Sequence, residues 1–163
     1  MSRPSIDEYM MRLAQVAASR ATCIRRSVGC VLADAKRRVL SIGYNGVPSG
    51  MPHCNEVTSS YWDSSCGGDT LVSVYGNSCV GHDLPPGQDS CEAVHAEQNA
   101  LLQCRDPREI ATAYVTLSPC KPCVKLLMNT GCQRIVFLTE HTDPWPKEQW
   151  LKLGREWVSL PSL

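Results

Sequence analysis

The run Ser118-Pro119-Cys120-Lys121-Pro122-Cys123 places two thiols three residues apart. It leads from a β-type stretch into a helical one, so Ser118 is the expected N-cap and Pro119 the first helical residue, where its missing N–H costs nothing. Pro122 is still within the first turn. On a helix this separation puts Cys120 and Cys123 on one face, where both reach one metal ion. The positive partial charge at a helix N-terminus also favours the thiolate form that zinc requires. Taken alone, such a pair is equally a redox motif or half of a structural zinc site.

His95-Ala96-Glu97 supplies what the thiol pair lacks. At the start of another helix, His95 offers a neutral imidazole as third ligand. Three protein ligands leave one tetrahedral position open, the arrangement in which zinc binds water and lowers its pKa from about 15.7 towards 7. Glu97, read alone, is a solvated helix-terminal carboxylate stabilised by the dipole. Two residues from His95 it faces another side of the helix, poorly placed as a fourth ligand but able to meet a water or substrate and move its protons.

These residues must be positioned by the elements around them. Ser5-Ile6-Asp7-Glu8 reads as a capping box, and apolar residues at helical spacing predict a helix to about residue 18. Residues 28–32 and 39–44 are β-type runs separated by a polar segment, an expected antiparallel hairpin followed by a turn at Asn45-Gly46. From 47 to about 90 the pattern breaks down among prolines, glycines, serines and cysteines, a length uncommon without function or cross-linking. Helices over 92–104, 121–129 and 147–153 then alternate with strands over 113–117, 134–138 and 156–160. The expectation is one α/β domain over 1–163 with a central mixed sheet and an insertion at about 47–90.

Composition narrows the function classes. Sixteen basic and sixteen acidic residues leave no net charge, which disfavours a duplex nucleic-acid binder, and aromatic residues are only 6%. No apolar run approaches the roughly 20 residues of a membrane span, and the N-terminus lacks the apolar core of a signal peptide. The protein is therefore expected in the cytoplasm. Ten cysteines in 163 residues then sit in a reducing compartment, where metal thiolates are the leading explanation and buried inert thiols the alternative.

His-x-Glu followed by Pro-Cys-x-x-Cys resembles the signature of the zinc-dependent nucleoside and nucleotide deaminases. Gly43-Tyr44-Asn45-Gly46-Val47-Pro48-Ser49-Gly50, His53-Cys54, His95-Ala96-Glu97-Gln98-Asn99-Ala100 and Ser118-Pro119-Cys120 resemble the deoxycytidylate (dCMP) deaminase branch more closely. The similarity runs from the first helix to the last strand, and the insertion is its least family-like part. It implies a three-layer α/β/α, cytidine deaminase-like fold with a mixed five-stranded sheet. It also implies hydrolysis of the 4-amino group of dCMP to give ammonia and dUMP for thymidylate synthesis. In that reaction zinc is held by His95, Cys120 and Cys123, and Glu97 protonates N3 and then the departing amine.

The same resemblance assigns Asn45 to the base or deoxyribose, although an asparagine before glycine is also an ordinary turn residue. Related enzymes carry basic residues near Arg25 and Arg26, and Arg26 is the preferred phosphate ligand. The family has a tyrosine about where His141 stands, so His141 either stacks on the pyrimidine or marks a pocket for a different base. Cys23, Cys54 and Cys91 match the places of structural-zinc ligands, with Cys66, Cys79, His53 or His82 as the fourth. Cys30, Cys104 and Cys132 read as core or surface thiols without a role. The resemblance further implies dCTP and dTTP as effectors and a homohexamer.

Two alternatives stand beside this reading. One is a zinc deaminase for cytidine, a modified cytosine nucleotide, guanine, or adenosine in transfer RNA; neutral charge and few aromatics argue against a strand-binding editor. The other is a non-catalytic zinc module, which would have no need of Glu97.

Overall fold

The computed structural model describes residues 3–23, 25–51, 53, 57–63, 70–75 and 93–161. Backbone proximity divides the chain into two compact units, one of Met1–Ala21, Ser27–Asn45 and His95–Leu163, the other of Thr22–Arg26 and Gly46–Val94.

In the larger unit, helix α1 (Ile6–Ala18) begins at the expected capping box. Ser5 Oγ accepts from the Glu8 N–H at 3.2 Å and the Glu8 carboxylate accepts from the Ser5 N–H, so two otherwise orphaned donors are satisfied. Strands β1 (Gly29–Ala33) and β2 (Val39–Tyr44) form the expected antiparallel hairpin. After helix α2 (Ala96–Gln103) come β5 (Thr112–Leu117), α3 (Lys121–Met128), β6 (Arg134–Thr139), α4 (Trp145–Lys152) and β7 (Glu156–Ser159). The sheet order is β2-β1-β5-β6-β7. β1 pairs antiparallel with β2 and β5, whereas β5–β6 and β6–β7 are parallel, so the sheet is mixed and five-stranded as expected.

The period-2 alternation of strand side chains divides the core in two. Val31, Ala33, Tyr114 and Val136 face one way and bury Met10, Met11 and Ala14 of α1. Cys30, Leu32, Ala113, Val115, Ile135 and Phe137 face the other way, onto Ala96 and Ala100 of α2, Val124 and Leu127 of α3, and Trp150 of α4. The result is the three-layer α/β/α arrangement. A covered central strand should be apolar throughout rather than alternating, and β1 is buried at all five positions.

Two glycines permit the closest helix–sheet approaches. A Cβ at Gly29 would lie 1.9 Å from the Ala14 carbonyl oxygen of α1, and one at Gly43 would lie 2.3 Å from both Ala96 O and Ala100 N of α2. Gly43 therefore sets the depth at which the helix following His95 sits on β2.

A charge cluster ties α1 to the sheet. Arg134 Nη1 and Nη2 donate to the two Asp7 oxygens at 2.8 Å each, Tyr114 Oη donates to Asp7 at 2.9 Å, and Arg134 Nε donates to Glu156 at 3.2 Å. The Arg134 guanidinium holds the Asp7 carboxyl below its ordinary value, with burial opposing and Tyr114 assisting. A carboxylate depressed on folding contributes its stability fully above about pH 4 and loses it as pH falls through the folded value. Asp7→Asn is expected to cost about 1–3 kcal/mol at pH 7. The deficit against the unaltered protein should shrink below pH 4 in urea titrations, and a deficit independent of pH would refute the linkage.

The smaller unit contains what the sequence reading took as patternless. Strands β3 (Val57–Asp63) and β4 (Thr70–Tyr75) pair antiparallel, with a bulge between Val57 and Ser59. An isolated bridge joins Gly46 and Val94. Three boundaries also differ from expectation in the larger unit. α2 starts at Ala96 instead of about 92, α4 starts two residues early, and Ser118 does not cap α3. Cys120 is the N-cap, with Pro122 in the first turn.

Candidate active site and metal centre

Two helix N-termini converge in the larger unit. His95 is the N-cap of α2, Cys120 is the N-cap of α3, and Cys123 follows within the first turn of α3. His95 Nδ1 lies 3.3 Å from Cys120 Sγ and 3.4 Å from Cys123 Sγ. All three ligand atoms lie within 4.8 Å of one another, the one such His/Cys/Asp/Glu group among the described residues. Tetrahedral zinc with its usual bond lengths separates a sulfur and a nitrogen ligand by about 3.5 Å. The donor set and its spacing thus fit a zinc ion with one position left for a small ligand.

The protonation of the trio points the same way. A hydrogen bond from Cys123, opposed by burial and helped by His95, lowers the Cys120 thiol to about 4. The same hydrogen bond, with burial and the Glu97 charge added, pushes Cys123 up. Two sulfurs and an imidazole thus converge at two positive helix ends, which favour the thiolate form that a divalent cation binds.

Glu97 is 4% exposed, not solvated. Burial pushes its carboxyl up to about 7, while its own backbone N–H and His95 pull it down and the Cys120 charge adds to the rise. It is not one of the converging ligand atoms. A buried carboxyl balanced near neutrality can accept and return a proton.

The residues around the trio are held from several directions. Asn45 is buried; its Oδ1 accepts from the Val28 N–H at 2.8 Å, and its own N–H donates to Val28 O at 3.1 Å, closing the end of the β1–β2 ladder. Asn99 Nδ2 donates to Tyr44 O at 2.7 Å and binds α2 to the same strand end. Ser118, buried, donates its N–H to Thr139 O at 2.8 Å and accepts from the His141 N–H at 2.7 Å, which is why it is unavailable as a cap. His141 is half-buried, and its Nδ1 accepts from the Asp143 N–H at 3.1 Å. Lys121 lies 4.8 Å from the centre of the Trp145 ring, a cation–π contact between the starts of α3 and α4.

Sequence reasoning missed Gln98, whose Oε1 accepts from the His95 N–H at 2.8 Å. The signal was present, since glutamine three residues after an N-cap is half of a capping box.

Arg25 and Arg26 are exposed and, like Cys23 and His53, belong to the smaller unit. Cys54, Cys66, Cys79, His82 and Cys91 lie outside the described residues. Cys30, Cys104 and Cys132 are buried thiols.

A three-layer α/β/α domain with an imidazole and two thiols at facing helix ends defines a metal-dependent enzyme class rather than a binding module. The family model for the cytidine and deoxycytidylate deaminase zinc-binding region matches residues 4–139, and the chain belongs to that family. It is 41% identical over 141 residues to the deoxycytidylate deaminase of Mycobacterium phage D29, covering 86% of this chain and 99% of the phage protein. It is 36% identical to the deoxycytidylate deaminase of Schizosaccharomyces pombe over 85% of this chain, which spans 38% of the yeast enzyme. In fold it is similar to the apo dCMP deaminase of cyanophage S-TIM5, with a TM-score of 0.65 at 23% identity, over 98% of this chain and all of that one.

Proposed function

We propose that the chain deaminates dCMP to dUMP and ammonia, with His95, Cys120 and Cys123 holding a catalytic zinc. The observation carrying this reading is the buried Glu97 beside an open three-ligand set. The phage and yeast relatives bearing the deoxycytidylate deaminase name support the substrate. When bound, zinc supplies a water acidified from about 15.7 towards 7 as the nucleophile for C4. Glu97 would take one proton from that water and place it on N3, then take the second from the oxygen now bonded to C4 and deliver it to the departing amine as the C4–N bond breaks. Its burial keeps bulk water from competing for those protons, and a carboxyl pushed up to about 7 suits transfer in both directions.

Asn45 contacts the base or deoxyribose, Arg26 the phosphate, and His141 the pyrimidine ring. A second, structural zinc is held by Cys23, Cys54 and Cys91, with one of Cys66, Cys79, His53 or His82. These assignments rest on the match to the family pattern, as do the homohexamer, dCTP and dTTP as effectors, and a cytoplasmic location. Among the described residues, no helix is long and apolar enough to cross a membrane. Residues 47–90 are read as an insertion within one deaminase domain.

Ammonia release from dCMP, deoxycytidine, CMP, a 5-substituted dCMP and a short RNA, with and without dCTP and dTTP, tests the assignment. The expected result is turnover of dCMP well above deoxycytidine and none of the RNA. Equal turnover of dCMP and deoxycytidine would defeat the phosphate contact, and preference for the 5-substituted base would give His141 the specificity role instead.

A further inference from the structure

We propose that Gln98 is a positioning residue for the metal centre, holding His95 in the one backbone conformation that aims Nδ1 at both sulfurs. The inference rests on the zinc-site reading above and deepens it.

His95 carries two demands at once. As N-cap of α2 it occupies the position where a serine, threonine or aspartate side chain would ordinarily bind the first turn. Its imidazole instead lies 3.3 and 3.4 Å from two sulfurs. The His95 carbonyl accepts the first helical bond from the Asn99 N–H at 2.9 Å, so the ladder holds that end of the residue while its N–H needs a partner of its own. His95 has φ −72° and ψ 158°, and its N–H donates to Gln98 Oε1 at 2.8 Å. The bond runs back over one turn, so it closes a small ring comprising the metal-ligand backbone and the start of α2. From the other side Asn99, one residue further on, binds Tyr44 O and fixes the helix to β2. Asn99 therefore locates the helix on the sheet, and Gln98 locates His95 on the helix.

Gln98 touches none of the reacting atoms and is not among the ligand group. Its effect must therefore appear in how firmly the metal is held. Outer partners that orient a ligand are typically worth about 10–100-fold in metal affinity. Gln98→Met removes the acceptor while retaining side-chain length and helix propensity. Gln98→Glu keeps an acceptor at the same reach and completes the stronger form of the capping box.

The experiment follows zinc transfer from the loaded full-length proteins to a chromogenic chelator. The phase belonging to this centre is the one absent from Cys120→Ser. Gln98→Met should release that zinc at least about tenfold faster than the unaltered protein, and Gln98→Glu should restore release to within about twofold. The urea midpoint of each metal-free protein is measured in parallel. A purely structural role would lower the midpoint and leave the release rate alone, which would overturn the proposal, as would release from Gln98→Glu as fast as from Gln98→Met. If Gln98→Met does not fold, Gln98→Glu decides the matter: release at the unaltered rate supports the role and faster release overturns it. An unaltered protein that holds no zinc sensitive to Cys120→Ser would instead overturn the site reading and this inference together.

Discussion

Glu97→Gln will yield a folded, zinc-loaded protein whose dCMP turnover is lower by roughly two to four orders of magnitude, the usual worth of a positioned acid–base group. The amide has nearly the same shape, so the first turn of α2 and its packing on Gly43 are preserved. What is lost is the ability to take a proton and give it back. Stability should move the other way. At 4% exposure the carboxyl is held where its charged form is disfavoured, whereas a neutral amide is less costly to bury. The substitution should therefore leave the urea midpoint unchanged or raise it. That combination separates the catalytic role from a structural one, since a carboxylate retained for folding would lose stability when neutralised. Full activity in Glu97→Gln would remove the proton-transfer assignment.

The burial of Glu97 was not legible in the sequence, and the reason lies in a different element. A carboxylate in the first turn of a helix is ordinarily solvated and favoured by the dipole. Here α2 lies so close to β2 that no Cβ fits at Gly43, and that approach carries Glu97 into the interior. The glycine was visible, but the helix it admits lies more than fifty residues away. The Asp7–Arg134 pair is hidden for the same reason, because 127 residues separate its partners. Local signals fared better. The capping box at Ser5, the apolar β-type runs of β1, β5 and β6, and the Cys120/Cys123 spacing all depend on neighbours a few residues apart. Where a local signal failed, another bond competed: the Ser118 hydroxyl accepts from the His141 N–H instead of capping α3. The β3–β4 hairpin was obscured by Ser59, Ser60 and Ser73, which dilute the β-branched and aromatic pattern that marks a strand.

A comparison of two equally inaccessible cysteines discriminates most sharply between a metal centre and a set of inert core thiols. Cys123 and Cys132 are both fully buried. Burial pushes Cys132 up to about 11, and its Sγ donates to the Arg134 carbonyl, as expected of a small core hydrophobe with a weak donor. Cys123 instead faces Cys120, His95 and Glu97. Cys132→Ala should therefore cost about 1–2 kcal/mol, the loss of one small buried group, and keep full zinc content and activity. Cys123→Ala should lose one equivalent of zinc and at least three orders of magnitude in turnover, because two remaining ligands hold the ion weakly and the nucleophile goes with it. It should also lose the part of its stability that depends on zinc, since an ion bound to the folded state alone stabilises it by RT ln(1 + [L]/Kd). Chelator should accordingly lower the melting temperature of Cys132→Ala but have no further effect on Cys123→Ala at this centre. Equal zinc content in the two alanine variants would show that the converging side chains are only a packed cluster.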